Sequence, residues 1–475
     1  MRWIERLLLL FACFFIASCG DWLRLPLPFP TPGQHDLVVL TRPGPLTYQQ
    51  EDGENGSTTG LEHDLIEAFA QELGVGVEYV VVGPDELESA IAKGRYHLAA
   101  AWLSPGNNPG VQATPAIFQS RDMLMQHEAS LPLEDLSSLA DKTVHVMAGS
   151  RQAATMRRLA KEVANLRVVE VGSGDVLDLI ESLGNREVDY VAIDQNIEEI
   201  ANQFTPYVHS TLTLSEPEPI VWLLGPSPNP ELAEKARVFA ERVQRDGTLA
   251  KLEDRYFGHV RRLNQADVTK FLGQIETTLP KLRRYFQDAQ TVTGIDWRLI
   301  AAVAYHESHW DANATSFTGV RGIMMLTEET ADRLGVSNRL NPRESILAGA
   351  RYINMLKDNL PDEVQEPDRT WLALAAYNIG PGHFNAARTL AQQMNADGNA
   401  WFEMKRILPL LSKPSIYQRL KSGRARGGEA VILVENIRSY YDILVRNEER
   451  YLAVSSRMEG MVGMQGDGPG LKLKK

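Results

Sequence analysis

Glu307 lies near the end of an apolar run, Ile300 to Trp310, that reads IAAVAYHESHW. Ile300, Val303 and Ala304 precede it by seven, four and three residues, the spacing that stacks side chains on one face of a helix. A glutamate on a helix normally points to water, whereas this one shares the face that should be buried. A carboxyl held out of water keeps its proton to higher pH and becomes a proton donor near neutrality. Nine residues on stands Ser316, in the turn-rich segment DANATSFTGVRG. A second apolar run, TWLALAAYNIGPGHF, ends in Tyr377 and Asn378 and is stopped by Gly380, Pro381 and Gly382. These residues could transfer a proton and hold a polar substrate in a cleft.

The elements that position them follow from local signals. Asp296 is a good N-cap for a helix that stops near His309. The stretch GIMMLTEETADRLGV, Gly322 to Val336, is expected to resume as helix. From His35 to about Gly258 the pattern changes to strands alternating with helices. The runs DLVVLT, VEYVVV, YHLAAAWL, TVHVMAG, LRVVEV, VDYVAID and IVWLLG read as strands. Between the first two, HDLIEAFAQEL puts Leu65, Ile66, Phe69 and Leu73 on one helix face. Such alternation predicts an α/β domain with a mostly parallel sheet.

At 475 residues the chain exceeds one ordinary core, so at least two domains are expected. It is 44% apolar and 23% charged, with net charge −12 and a pI near 5.4, which argues against a nucleic-acid partner. The basic stretches KSGRARGG and LKLKK read as solvated surface. Arg2 and Arg6 precede the apolar run Leu7 to Ile16, too short to span a bilayer and fitting a secretory leader. The stretch IASC ends at Cys19, and the only other cysteine, Cys13, lies inside the leader. Small residues before that cysteine resemble the lipobox of bacterial lipoproteins, which implies cleavage and acylation at Cys19. Gly20 in place of Asp implies the inner leaflet of the outer membrane by the same resemblance. Leu25 to Gly33, LPLPFPTPG, is expected to be an extended tether.

The catalytic-looking pieces resemble the lysozyme-like lytic transglycosylases that cleave peptidoglycan. The matches are Glu307, Ser308, Trp310, Ser316, Gly319, Gly322, Met324 and AYNIG at Ala376 to Gly380. Ala312 stands where that family usually has Pro, and Met325 where it has Gln. The resemblance implies Glu307 as the catalytic acid and base, with Ser316, Met324, Tyr377, Asn378 and a late residue, Tyr440, on the substrate. It implies glycan strands as the partner, and neither metal nor cofactor. The earlier pieces GLEHDLIEAFAQELGV, ELESAIAKGRYHLAAAWLS, TVHVMAGSRQ and VDYVAIDQN resemble the type 2 periplasmic solute-binding proteins of the amino-acid-binding kind. That implies a small ligand held by Tyr48, Ser104, Ser150 and Asp194, the last through an ammonium. The loop SPGNNPGVQATP lacks the arginine that clamps a ligand carboxylate in that family. A non-standard ligand, such as a muropeptide, is therefore expected.

The resulting expectation is a multidomain protein. A leader (1–18) and a proline-rich tether (19–34) precede a periplasmic-binding-protein-like α/β domain (35–260). A mainly α lysozyme-like domain (261–455) and a tail (456–475) follow. Two functions remain open on the sequence: a transglycosylase regulated by its binding domain, and a ligand sensor whose second domain holds glycan with little cleavage.

Overall fold

The computed structural model describes residues 27–50, 58–106, 111–225, 228–317 and 319–452. The leader, Cys19, the first half of the tether and the tail lie outside the described residues. The chain divides into two compact units, one running to Glu198 and including Val208–Leu252, the other comprising Glu199–Tyr207 and everything from Glu253. The division precedes the expected boundary at 260, and the reason is a set of polar anchors within the second unit. Lys405 pairs with Asp254, Arg438 donates to the Arg255 carbonyl, and Ser439 Oγ donates to the His259 carbonyl at 2.8 Å. Residues 199–207 are held there by the Tyr207 hydroxyl on Thr269 (3.2 Å) and by Arg446 over the Phe204 ring (5.5 Å).

In the first unit the strands are β1 (Leu37–Thr41), β2 (Gln49–Gln50), β3 (Thr58–Thr59), β4 (Val77–Val81), β5 (Leu98–Leu103) and β6 (Phe118–Ser120). Then come β7 (Asp122–His127), β8 (Thr143–Met147), β9 (Arg167–Val171), β10 (Tyr190–Asp194), β11 (Val208–Thr213) and β12 (Glu218–Leu224). The helices are α1 (Leu61–Leu73), α2 (Leu87–Lys93), α3 (Arg151–Leu159), α4 (Val176–Gly184), α5 (Gln195–Phe204), α6 (Pro230–Val243) and α7 (Thr248–Phe257), of which α5 and α7 run across the division between the units. They build two five-stranded sheets, ordered β4-β1-β5-β12-β6 and β11-β7-β10-β8-β9.

These sheets are mixed rather than mostly parallel. β1 runs parallel to β4 and β5, and β8 parallel to β9 and β10. However, β12 is antiparallel to β5 and β6, and β7 to β10 and β11. Each of the seven apolar runs became a strand. β7, which is central in its sheet, carries the polar residues Asp122 and Gln126 in a fully buried setting, so no apolar run marks it in the sequence. β5 is buried along its whole length, as a strand covered on both faces must be. The core of the first sheet packs Phe69, Trp222 and Phe239 with ring centroids 5.0–5.8 Å apart.

The second unit is helical: α8 (Gln265–Thr277), α9 (Leu279–Thr293), α10 (Trp297–Ser308), α11 (Glu328–Arg333), α12 (Pro342–Asp358) and α13 (Asp368–Ile379). α14 (Pro381–Gln393), α15 (Trp401–Ile407), α16 (Pro414–Tyr417) and α17 (Gly427–Asn447) complete it. α10 packs on α9, α12 and α17, and every residue from Trp297 to Tyr305 is buried. Its N-cap is Asp296, whose carboxylate accepts the Arg298 N–H at 2.8 Å. The helix ends where His309 and Trp310 both take left-handed backbone (φ 52° and 62°). That reversal returns the Trp310 indole to the helix, donating to the Ala301 carbonyl at 2.8 Å. Burying a large side chain of this kind contributes about 1.5–3 kcal/mol, which offsets much of the roughly 1–2 kcal/mol that each left-handed residue costs.

The expected helix from Gly322 begins only at Glu328. Residues 322–325 form a turn instead, closed by paired backbone bonds between Arg321 and Leu326 (3.0 and 3.1 Å). Two residues in it are left-handed, Gly322 (φ 81°) and Met325 (φ 48°), a geometry no helix contains. A Cβ on Gly322 would come within 1.8 Å of the Arg339 carbonyl oxygen. Gly322→Ala should therefore cost at least about 2 kcal/mol, combining backbone strain with a clash against main chain. Differential scanning calorimetry should show the lower-melting transition of the helical unit fall by roughly 4–8 °C.

Candidate active site and ligand cavity

Glu307 occupies the last turn of α10, and Ser308 beside it fastens the turn at 322–325. The Ser308 hydroxyl lies 2.8 Å from the Ile323 carbonyl and 3.1 Å from that of Ala304. From the other side, the Tyr377 hydroxyl at the end of α13 donates to the Met324 carbonyl at 2.7 Å. The Glu307 carboxyl makes no hydrogen bond or ion pair with any described residue. Burial alone raises its pKa to about 7. The neighbouring His306 is pushed down to about 4, first by burial and then by His309, so it is neutral near pH 7 and brings no cation. Tyr377 is raised well above the usual phenol range by burial first and by the charge of Glu307 second, which puts the two groups in one local field. Its ring lies 5.5 Å from that of Tyr352, a residue with no distinguishing pattern in the sequence.

The structure sorts the remaining expected residues. Asn378 is exposed just beyond Tyr377. Ser316 sits in the loop after α10 and shapes it, its hydroxyl accepting the Val320 N–H at 3.2 Å. Met324 is fully buried, so its side chain cannot meet substrate; its part is the carbonyl that holds Tyr377. The half-buried neighbour Met325 is the residue of that turn turned outward. Tyr440 is likewise core: its ring packs 4.7 Å from Phe271 and 4.8 Å from Tyr305.

In the first unit a cavity of about 50 Å³ opens at the strand ends, lined among others by Arg42, Thr47, Trp102, Ser150, Gln152 and Asp194. This is room for roughly three or four waters. Ser150 caps α3, accepting the Ala153 N–H at 3.0 Å and donating to the Met147 carbonyl at 2.6 Å. Asp194 is present but occupied. It accepts from Arg151 and the Trp102 indole (both 2.7 Å), from Ser120, and from the backbone and side chain of Asn196 (both 2.9 Å). Tyr48 does not line the cavity; it belongs to a ring cluster with His63 and Tyr79. Ser104 donates to Glu218 at 3.1 Å, also away from it. Sequence reasoning missed Arg42, Trp102 and Arg151. Arg42 directly follows β1, and ligands of open α/β sheets gather beyond such strand ends, which is the signal that could have found it.

Comparison with known proteins agrees with both halves. A model of the transglycosylase SLT domain matches residues 284–402, and one of bacterial extracellular solute-binding proteins, family 3, matches residues 37–259. A protein of Nitrosospira multiformis named membrane-bound lytic murein transglycosylase F is 41% identical over 455 residues, covering 95% of this chain and 94% of that one. One of the same name from Methylobacillus flagellatus is 40% identical over 460 residues, covering 96% and 97%. Fold and site thus define a lytic transglycosylase that carries a solute-binding domain ahead of its lysozyme-like one. The chain belongs to the membrane-bound lytic murein transglycosylase F family. Among the described residues no helix is long and apolar enough to cross a membrane.

The state of Glu307 has a measurable thermodynamic consequence. Its folded pKa of about 7 lies above the unfolded value near 4.5, so the native state binds more protons between those pH values. Stability therefore falls as pH rises through that window and stays lower above it. Glu307→Gln removes the titration. The variant should match wild type near pH 4 and be more stable by about 1–3 kcal/mol at pH 8, as read by denaturant unfolding at both pH values.

Proposed function

We propose that the second unit cuts the β-1,4 bond between MurNAc and GlcNAc with Glu307 as its one acid and base, leaving a 1,6-anhydro end. The observation that carries this is the isolated carboxyl of Glu307, desolvated and without any hydrogen-bond partner or neighbouring charge among the described residues. Protonated near neutral pH, it donates to the glycosidic oxygen as the bond to C1 breaks. The substrate's acetamido carbonyl stabilises the sugar cation. Glu307, now a carboxylate, takes the C6 hydroxyl proton, and O6 closes on C1 without consuming water. Simple hydrolysis would want a second positioned carboxylate about 5–10 Å away; among the described residues Glu307 has no ion-pair partner, and burial is the cause of its raised pKa. Tyr377, held on the Met324 carbonyl, and exposed Asn378 border the cleft, and the Ser316 loop completes it.

The first unit is read as a small-ligand domain that modulates cleavage, with a muropeptide fragment as the fitting ligand class. Attachment is read as lipidation at Cys19, on the inner leaflet of the outer membrane. The family name supports membrane association, and the IASC stretch supports the chemistry of the anchor.

Three measurements test the cleavage. Glu307→Gln keeps the shape but cannot release or accept the proton, so cleavage of purified peptidoglycan should fall at least about a hundredfold. Mass spectrometry of the wild-type digest should show anhydro ends; reducing ends would instead mean hydrolysis. The wild-type kcat/KM should decline above pH 7, about tenfold per unit, because the resting enzyme must hold the proton. Separately, Cys19→Ala should move the protein from the membrane to the soluble fraction or block its processing; unchanged fractionation and processing would exclude the lipid anchor.

A further inference from the structure

Trp102 takes a backbone conformation that its residue type disfavours. Its φ of 57° is left-handed, where a bulky side chain costs about 1–2 kcal/mol and glycine is at ease. The residue belongs to the end of β5, where the register against β12 slips. Ala99 faces Leu223 and Leu103 faces Val221, so Ala100, Ala101 and Trp102 stand opposite the single residue Trp222. A bulge of this kind re-aims a side chain. Two buried carboxyls then fix where Trp102 goes. Glu62 accepts its backbone N–H at 2.7 Å, and Asp194 accepts its indole Nε1–H at 2.7 Å. The ring packs on Phe118 with centroids 5.0 Å apart, and the residue is 2% exposed. Since β5 belongs to one sheet and Asp194 ends β10 of the other, the indole bridges the two sheets at the cavity that both residues line. The space left beside it is about 50 Å³, whereas ligand pockets hold roughly 300–1,000 Å³. The carboxylates on the lining are also taken. Asp194 accepts from Trp102, Arg151, Ser120 and Asn196, and Asp175 caps α4 through the Leu177 and Asp178 N–H groups. Strained residues persist only where their surroundings over-determine them, and they gather at ligand clamps and switches.

We propose that Trp102 is a built-in occupant of this cavity, a plug that a ligand must push aside to reach Asp194. The proposal rests on reading the first unit as a ligand-binding domain. Two properties of the ligand follow. It carries an N–H or ammonium donor, because expelling the indole leaves buried Asp194 one donor short unless the ligand replaces it. Its affinity is also held down by the plug: only molecules whose Trp102 has left the cavity can bind, and apparent affinity falls by that fraction. The strain at φ 57° lowers the cost of leaving, since the expelled residue can relax its backbone.

Isothermal calorimetry on the detergent-solubilised full chain tests this, with a soluble muropeptide digest of purified peptidoglycan as the probe. Glu307→Gln is present in every sample to stop turnover, so heat from the active site is common to all and differences come from position 102. Trp102→Gly removes the plug and suits the left-handed backbone. It should bind the digest at least about tenfold more tightly than the chain that keeps Trp102. Trp102→Phe keeps a ring but gives up the bond to Asp194, and should bind at least about threefold more tightly. Loss of a tryptophan that served only the fold would weaken binding or leave it unchanged. Circular dichroism checks that each variant is folded; should Trp102→Gly not fold, Trp102→Phe decides alone. Equal or weaker binding by the folded variants overturns the proposal. Cleavage of intact peptidoglycan, measured with Glu307 in place, separates the plug from the reading beneath. If the digest changes the rate at the same concentrations in wild type and in Trp102→Gly, the plug is wrong and the ligand domain stands. If the digest neither binds nor changes the rate in either, both fall.

Discussion

The catalytic half of this protein is organised around the desolvation of one carboxyl. A glutamate exposed on a helix would be ionised at neutral pH and useless as an acid. Glu307 keeps its proton because α10 is buried from Trp297 to Tyr305 and because the turn at 322–325 closes over its last turn. That cover is held by two short polar ties, Ser308 to Ile323 and Tyr377 to Met324. Each uses a backbone carbonyl as acceptor, so the side chains of the turn remain free for packing or for the cleft. Met324 illustrates the division, with its carbonyl in the site and its side chain in the core. The absence of any compensating cation beside Glu307 is as important as burial, since a nearby arginine would strip the proton. The neutral state of His306 preserves that condition.

The ligand half solves a different electrostatic problem. Buried charges are tolerated only when paired, and a pair broken on one side is costly. Arg151, Asp122 and Asp194 form such a closed set, cross-braced by Ser120, Gln152, Thr155 and Asn196. The set joins β7, β10 and α3 behind Asp194, which lines the cavity. Pairing in this unit is thus largely structural. The contrast with Glu307 is instructive: one unit isolates an acid to tune its proton, the other buries acids in pairs to hold a shape.

Much of this was legible in the sequence, for identifiable reasons. Strands covered on both faces are continuous apolar runs, so β1, β4, β5, β8, β9, β10 and β12 were visible. β7 and β11 were not, because Asp122, Gln126 and the Ser and Thr residues of β11 hide them. Since these are strands that run antiparallel, the sheets looked more parallel than they are. Every residue from Trp297 to Tyr305 is buried, so the phase of Ile300, Val303 and Ala304 marks no single buried face, and Glu307 at the end of the run is half-buried. The turn at Gly322 was misread as helix because a left-handed residue such as Met325 carries no mark in its side chain.

What the sequence determined by itself was the order of the two domains and the family pattern around Glu307. Those are properties of neighbours along the chain, set by spacing and composition. The tertiary structure alone decided that Met324 and Tyr440 belong to the core and that Tyr48 and Ser104 stand away from the cavity. It also decided that Asp194 is already occupied by Arg151, and that Arg42 and Asp194 meet at one cavity although 152 positions separate them. Burial and charge pairing depend on which distant segments pack together, and no local pattern encodes the field that those segments create.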